Sequence, residues 1–165
     1  MLIGQNMSVD WIRLSSQRDL DTFLNTFGGF HDGCFREAHM WTGEYVYRDL
    51  SMKVPGRLNT NVRMLFQRQW NNPSAIEMLF EQVVTFHVYP TRESEDPAIY
   101  CATLILEGEL FYWASHESWA PTNDDRDKAT WIAAKRIWWR DASDWMGENL
   151  RYCQRPPEEL EQRDH

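Results

Sequence analysis

The chain is poor in the residues and spacings that announce a chemistry. Its three cysteines, Cys34, Cys101 and Cys153, lie far apart, are odd in number and form no CxxC pair. That pattern excludes a disulfide framework and a zinc ribbon, and it fits reduced thiols in a cytoplasmic protein. Positive charge is also short. Seventeen Lys and Arg stand against 25 Asp and Glu, for a net charge of −8. Nucleic-acid binding needs cations to replace the counterions at phosphates, so that class is excluded, and an anionic membrane surface is disfavoured by the same sign. No run approaches the roughly 20 apolar residues of a membrane helix. The opening Met1-Leu2-Ile3-Gly4-Gln5-Asn6 lacks the basic-then-apolar order of a signal peptide, so the expected location is the cytoplasm. There is no GxSxG, no HxH and no HxxxH, and Gly28-Gly29 follow a helical pattern where a phosphate loop would open one. No cofactor and no metal site are expected.

Aromatic residues are what the chain has in excess, with nine tryptophans and 14% Phe, Trp and Tyr. A chain of about 150 residues buries roughly 70% of its unfolded surface, enough for a core without staples. One globular domain is expected over residues 1–153, followed by a charged tail over 154–165 that contains Pro156-Pro157. The clearest local signal is a helix. Ser16 is an N-cap candidate with Asp19 three places on, Leu20, Phe23, Leu24 and Phe27 recur at helical spacing, and Gly28-Gly29 stop the pattern.

Beyond the glycines the period changes. Residues 1–14, with Val9, Trp11, Ile12 and Leu14 among polar residues, suit a short edge strand or ordered arm. Cys34 to Tyr47 reads as strand, turn near Gly43, strand. Val62, Met64 and Phe66 alternate with polar residues, as do Ile76, Met78 and Phe80. Val83 to Tyr89 reads as a strand with Val84, Phe86 and Val88 on its apolar side. Ile99 to Leu106 is apolar on both parities and reads as a central strand that forms a hairpin with Leu110 to Ala114 across Glu107-Gly108-Glu109. Residues 129–140 suit either a strand or a helix. The flanking Trp131, Ile132, Ile137, Trp138 and Trp139 favour the strand. Ser143 to Leu150 suits a short helical turn. The fold class that follows is α+β, an N-terminal helix packed on a curved antiparallel β-sheet, either a partly closed barrel or a sandwich.

The stretch Phe27 to Cys34 joins the helix to the strands and holds a histidine, a carboxylate and a thiol close together. Side-chain parity argues against His31 and Asp32 acting as a pair, because neighbours on a strand point to opposite faces, unless a turn bends the chain there, and Asp32-Gly33 could be such a turn. They, and His39 beyond them, do not make a metal-ligand pattern. Thr85, His87 and Tyr89 share the polar parity of their strand; they could line a pocket, but a solvated sheet face, where Thr and Tyr are simply good strand formers, is the preferred reading. Ser115-His116-Glu117 are sequence neighbours, whereas triads are assembled by the fold. Asn123 to Asp127 has calcium-loop composition without the spacing or the terminal bidentate Glu. Trp138 and Trp139 cannot both face one core, so one is expected against the helix, in a groove or at a contact, or else under the C-terminal segment. The candidate binding residues are thus His31, Asp32, His87, Tyr89, Trp113, Trp138 and Trp139, with no catalytic residue assigned.

The run Phe30-His31-Asp32-Gly33-Cys34, together with Met78 to Val84 and the hairpin around Gly108, resembles a group of small bacterial proteins of undefined activity, some classed as immunity proteins that neutralise a toxin. The resemblance implies an α+β domain with a substantial sheet and carries over no catalytic residue. The leading functional expectation is a non-catalytic protein-interaction domain, of the immunity type against a basic toxin, with a protein partner or a homodimer as its assembly. An alternative is a small-molecule-binding β domain with an aromatic pocket lined from Val83–Tyr89 and Leu110–Ala114. A hydrolase centred on His31 ranks last.

Overall fold

The computed structural model describes residues 10–153. The tail expected over 154–165 lies outside them. The helix, α1 (Gln17–Thr26), starts as the sequence predicts. Ser16 Oγ accepts the Asp19 N–H at 3.2 Å and the Asp19 carboxylate accepts the Ser16 N–H at 3.2 Å, a reciprocal capping box. Backbone hydrogen bonds from Ser15 and Ser16 hold the Asp19 carboxyl below its ordinary value, with the Ser16 hydroxyl adding to them. Leu20, Phe23 and, past the last turn, Phe27 are buried on one side. The chain then leaves helical geometry at Gly28, whose φ is +59° and where a Cβ would lie 2.8 Å from Arg68 Nη1. A left-handed residue in that space is tolerated only by glycine.

Nine strands follow or flank this helix. They are β1 (Ile12–Leu14), β2 (Gly33–Trp41), β3 (Tyr45–Val46), β4 (Met52–Lys53), β5 (Asn61–Arg68), β6 (Ala75–His87), β7 (Thr103–Glu107), β8 (Leu110–Ala114) and β9 (Trp131–Asp141). Seven form one antiparallel sheet in the order β2-β5-β6-β9-β8-β7, with β1 pairing to β9. The spine is the β6–β9 pair, which runs from Ile76 opposite Asp141 to His87 opposite Trp131. On its other side β9 pairs first with β8, over Trp131–Ala134, and then with β1, over Ile137–Trp139. The sheet is open, with β2 and β7 as edges. The expected α+β fold, a helix on a large antiparallel sheet, is what the chain adopts; the sheet does not close into a barrel, so 'partly closed' describes it only loosely.

The ambiguous stretch 129–140 is the strand β9, because its residues fill a slot between β6 and two further strands. Three other expectations are corrected. Ile99 to Leu106 is not a central strand: β7 begins only at Thr103 and is an edge, while Ile99 makes a lone bridge to Gly33. The apolar parity of Val84, Phe86 and Val88 holds only at Phe86, which packs against the core. The register shifts between Val83 and Thr85, so Val83 is buried while Val84 and Val88 are about half exposed. Ser143 to Leu150 forms bends and turns with no helix.

The core lies between α1 and one face of the sheet. Val62, Met64, Phe66, Ile76, Met78 and Phe80 come from the alternating strands, and Leu104, Phe111, Trp113, Ile132 and Ile137 close it from the other half. Phe30 sits at its aromatic centre, 5.0 Å from both Phe27 and Phe66 and 5.7 Å from Trp113, ring centre to ring centre.

Candidate functional site

Three places in the fold hold more than packing requires. The first is a cavity of about 550 Å³ between the loop 88–102 and the end of the sheet. The joint Phe27–Cys34 builds its frame. The Asp32 N–H donates to the Ile99 carbonyl, the Ile99 N–H to that of Gly33, and the Ala102 N–H to that of Gly29. Gly33 can hold no side chain, since a Cβ there would stand 2.8 Å from the Phe30 carbonyl oxygen. On the opposite side Thr130 Oγ1 accepts the Tyr89 N–H at 2.9 Å and donates to the Tyr89 carbonyl at 3.2 Å. The wall includes Trp113, fully buried, whose indole N–H has no acceptor. Cys34 and Cys101 are both partly exposed in it.

Of the residues singled out by sequence, Tyr89 and Trp113 do line this cavity. His31 lies beside it: its Nδ1 is 2.8 Å from the carbonyl oxygen of the lining residue Tyr100, and the two rings meet edge to face. His31 Nε2 and Asp32 Oδ2 are 3.5 Å apart, both half exposed. The parity argument against this pair does not apply, because Asp32 has φ +56° in a turn and not on a strand. His87 is drawn elsewhere, its Nε2 2.8 Å from the Asp127 carbonyl oxygen and its ring beside Trp131. Trp138 and Trp139 separate as adjacent strand residues must: Trp139 packs on Phe23 of α1 at 4.9 Å, and Trp138 lies on the other face under Arg13. The seven candidates therefore do not form one site.

Ser115 and His116, neighbours in sequence, do meet, with Oγ 3.0 Å from Nδ1. Ser115 Oγ also accepts the Thr130 N–H at 3.1 Å, and among the described residues no carboxylate ion-pairs with the imidazole. This is a loop anchor without the third, orienting member of a triad. Among the described residues no group of three or more His, Cys, Asp and Glu is gathered around a point that could hold a metal ion.

The second place is on the far face of the sheet, and sequence reading missed it. Glu77 is fully buried there. Its Oε2 accepts Arg63 Nε at 2.7 Å and the Tyr152 hydroxyl at 2.6 Å, and its Oε1 accepts Arg140 Nε at 2.7 Å. Arg140 and Arg63 each also face the Trp11 ring, at 4.5 and 5.9 Å. The signal available in the sequence was Glu77 at the odd position within Ile76–Phe80, facing away from the core, with Arg63 and Arg140 on other strands. Only strand register brings them together.

Burial, followed by the Glu77 carboxylate, pushes the Tyr152 phenol far above its ordinary value. A phenol raised in this way contributes its stability in full below the unfolded value of about 10 and loses it as pH rises beyond. Melting temperatures at about pH 8 and about pH 11 should therefore fall further for the parent than for Tyr152→Phe. Equal falls would show that Tyr152 does not carry the alkaline sensitivity.

The third place is an arm. The ladder between β2 and β5 ends at Trp41 opposite Asn61, and the chain between them folds back as a ribbon of β3 and β4, which pair only with each other. Nine of the sixteen exposed large apolar side chains among the described residues lie in the 19 residues Met40 to Leu58. Leu50, at the turn, is 84% exposed, Val54 73% and Met52 64%. The stretch carries Arg48, Lys53 and Arg57 against Glu44 and Asp49, nearly neutral in a chain of net −8.

No family model, no curated protein and no solved structure matches this chain. The described residues contain no helix long and apolar enough to cross a membrane.

Proposed function

We propose that the protein is a non-catalytic interaction domain that holds a protein partner on the arm 40–58. The observation that carries this reading is the concentration of exposed apolar side chains over residues 40–58, from the end of β2 through the ribbon of β3 and β4, none of them buried in the core. A two-stranded ribbon is at best marginally stable in water, and exposed apolar surface on this scale marks an interaction site. The acidic remainder of the chain steers a basic partner toward the arm, while the arm itself carries little charge to desolvate. The resemblance of Phe30–Cys34 to immunity-type proteins supplies the specific role, inhibition of a basic toxin. A net charge of −8 on each copy disfavours self-association and favours that partner.

The test is a photo-crosslinking residue placed at Leu50, compared with one at Glu93 in the loop 88–102. A basic protein is expected to crosslink at Leu50 alone, with capture falling as salt rises. Leu50→Asp with Val54→Asp should weaken the complex about 30-fold or more, the loss of an apolar hot spot. Equal crosslinking at both positions, or crosslinking only to a second copy of the chain, would overturn the reading.

A further inference from the structure

The two edges of the sheet are finished differently. At β7 the outward N–H of Leu106 donates to Gln17 Oε1 at 2.9 Å, and that of Ala102, just before the strand, donates to the Gly29 carbonyl at 2.9 Å. Helix α1 lies against this edge. At β2 only the start is bridged, where the Gly33 carbonyl accepts the Ile99 N–H at 2.7 Å. A bulge at Arg36 follows, and from Glu37 to Trp41 the strand runs in unbroken register against Leu65 to Asn61. The register identifies the groups left over. The Arg68 N–H donates to the Ser74 carbonyl, so even-numbered residues of β5 bond β6 and odd-numbered ones bond β2. His39 and Trp41, opposite Arg63 and Asn61, therefore turn their main chains inward, while Ala38 and Met40, opposite Met64 and Val62, turn theirs outward. Among the described residues no main-chain group bonds to Ala38 or Met40 on that side. Residues 38–41 are all exposed, and β2 holds neither the Lys nor the Pro that commonly guards a free edge. At Trp41 this open edge continues into the arm.

We infer that the partner held on the arm also adds an extended strand to β2, antiparallel to Glu37–Trp41 and bonded to the outward N–H and C=O groups of Ala38 and Met40. The inference rests on the reading of the arm as the seat of a protein partner. In such a junction the main-chain bonds supply affinity and the alternate side chains select the sequence. Ala38 and Met40 share the face of the buried Met64 and Val62, so the added strand sets apolar residues beside them. Glu37 is on the opposite face. Its carboxylate accepts the N–H groups of Arg151 at 2.9 Å and Tyr152 at 3.2 Å, which fix it in place without an opposite charge beside it. The alternate residues of the added strand are therefore Lys or Arg, in keeping with a basic partner for a chain of net −8.

The probe is the peptide acetyl-Lys-Val-Lys-Val-Lys-Val-Lys-amide, compared with the same peptide N-methylated at its three valines, whose N–H groups would face β2. Amide exchange of the full chain is followed residue by residue at saturating peptide. Exchange at Ala38 and Met40 is expected to slow about 5- to 10-fold, the worth of a main-chain hydrogen bond, with His39 unchanged because its N–H already bonds β5. The methylated peptide should have no effect. In the complex crosslinked through Leu50, Ala38→Pro should cut capture of the basic protein about 5- to 10-fold, whereas Ala38→Val, which adds bulk but keeps the N–H, should not. Proline is tolerated on an edge strand where its missing N–H faced outward, and the peptide experiment uses the parent chain, so it decides even if the variant is unstable. Equal slowing by both peptides, no slowing by either, or full capture by Ala38→Pro would overturn the added strand and leave the arm standing. Slowing at Ala38 and Met40 that grows with protein concentration alone would name a second copy as the occupant and overturn it as well. No crosslink at Leu50 in the parent chain would overturn the arm, and this inference with it.

Discussion

Glu77→Ala is expected to lower the unfolding free energy by about 3 kcal/mol, the lower end of the cost of breaking a buried ion pair from one side. The carboxylate is fully buried and accepts from Arg63, Arg140 and the Tyr152 hydroxyl. Removing it leaves two guanidinium groups sharing one space with no counter-charge. The side chains of Arg63 and Arg140 are 28% and 22% exposed, so water recovers part of the loss, which places the figure at the low end. Because Tyr152 loses its acceptor as well, the segment that ends the described chain should loosen with the same substitution. Urea titration followed by tryptophan fluorescence measures the first effect, and amide exchange over residues 142–153 measures the second. Replacing all three members together, Arg63→Met with Glu77→Leu and Arg140→Met, should recover most of the stability, since no charge is then left unpaired. A loss below about 1 kcal/mol in Glu77→Ala would mean that the far face is already hydrated.

Phe30→Ala is expected to cost about 3–5 kcal/mol, as truncating a buried Phe does. Phe30 has no exposed surface and packs edge to face on Phe23, Phe27, Phe66 and Trp113. Its φ is +66°, a left-handed conformation that a side chain normally disfavours by about 1–2 kcal/mol. The comparison with Phe30→Gly is therefore informative. Glycine removes one more carbon yet relieves the backbone, so the glycine variant should be no less stable than the alanine variant. A glycine variant clearly the weaker of the two would mean that the backbone at Phe30 relaxes once the ring is gone.

The local features of the chain were legible because their causes are local. The capping box needs only Ser16 and Asp19, the helix stop only Gly28-Gly29, and the hairpin of β7 and β8 only Glu107-Gly108-Glu109 between two apolar runs. Strand parity in Val62–Phe66 and Ile76–Phe80 correctly named the core face, since alternation is a property of each strand by itself. It failed from Val83 onward, where an irregularity in the β6–β9 ladder moved the buried position from Val84 to Val83. At His31-Asp32 the turn that Asp32-Gly33 suggested is present, so strand parity does not govern that pair.

The candidate sites divide in the same way. Tyr89 and Trp113 were found as residues, but the cavity they share also needs Glu95, Asp96 and Glu117 from two loops, and no spacing relates those loops to β8. The exposure of the arm was hidden for the opposite reason. Tyr45, Val46, Leu50 and Met52 have core composition, and only the pairing of β3 with β4 alone shows that no core receives them.

The sequence by itself determined an α+β chain: one capped helix, a run of antiparallel strands, and a net charge of −8. These rest on periodicity, caps and charge, all of which act over a few residues or over the sum of all residues. Only the tertiary structure decided that the sheet stays open, that 129–140 is a strand, and that Glu77 is buried between two arginines. It also decided that an arm and a cavity stand at different places on the surface. Each of these depends on register between strands distant in the chain, and register is chosen by the packing of the whole sheet and not by any one strand within it.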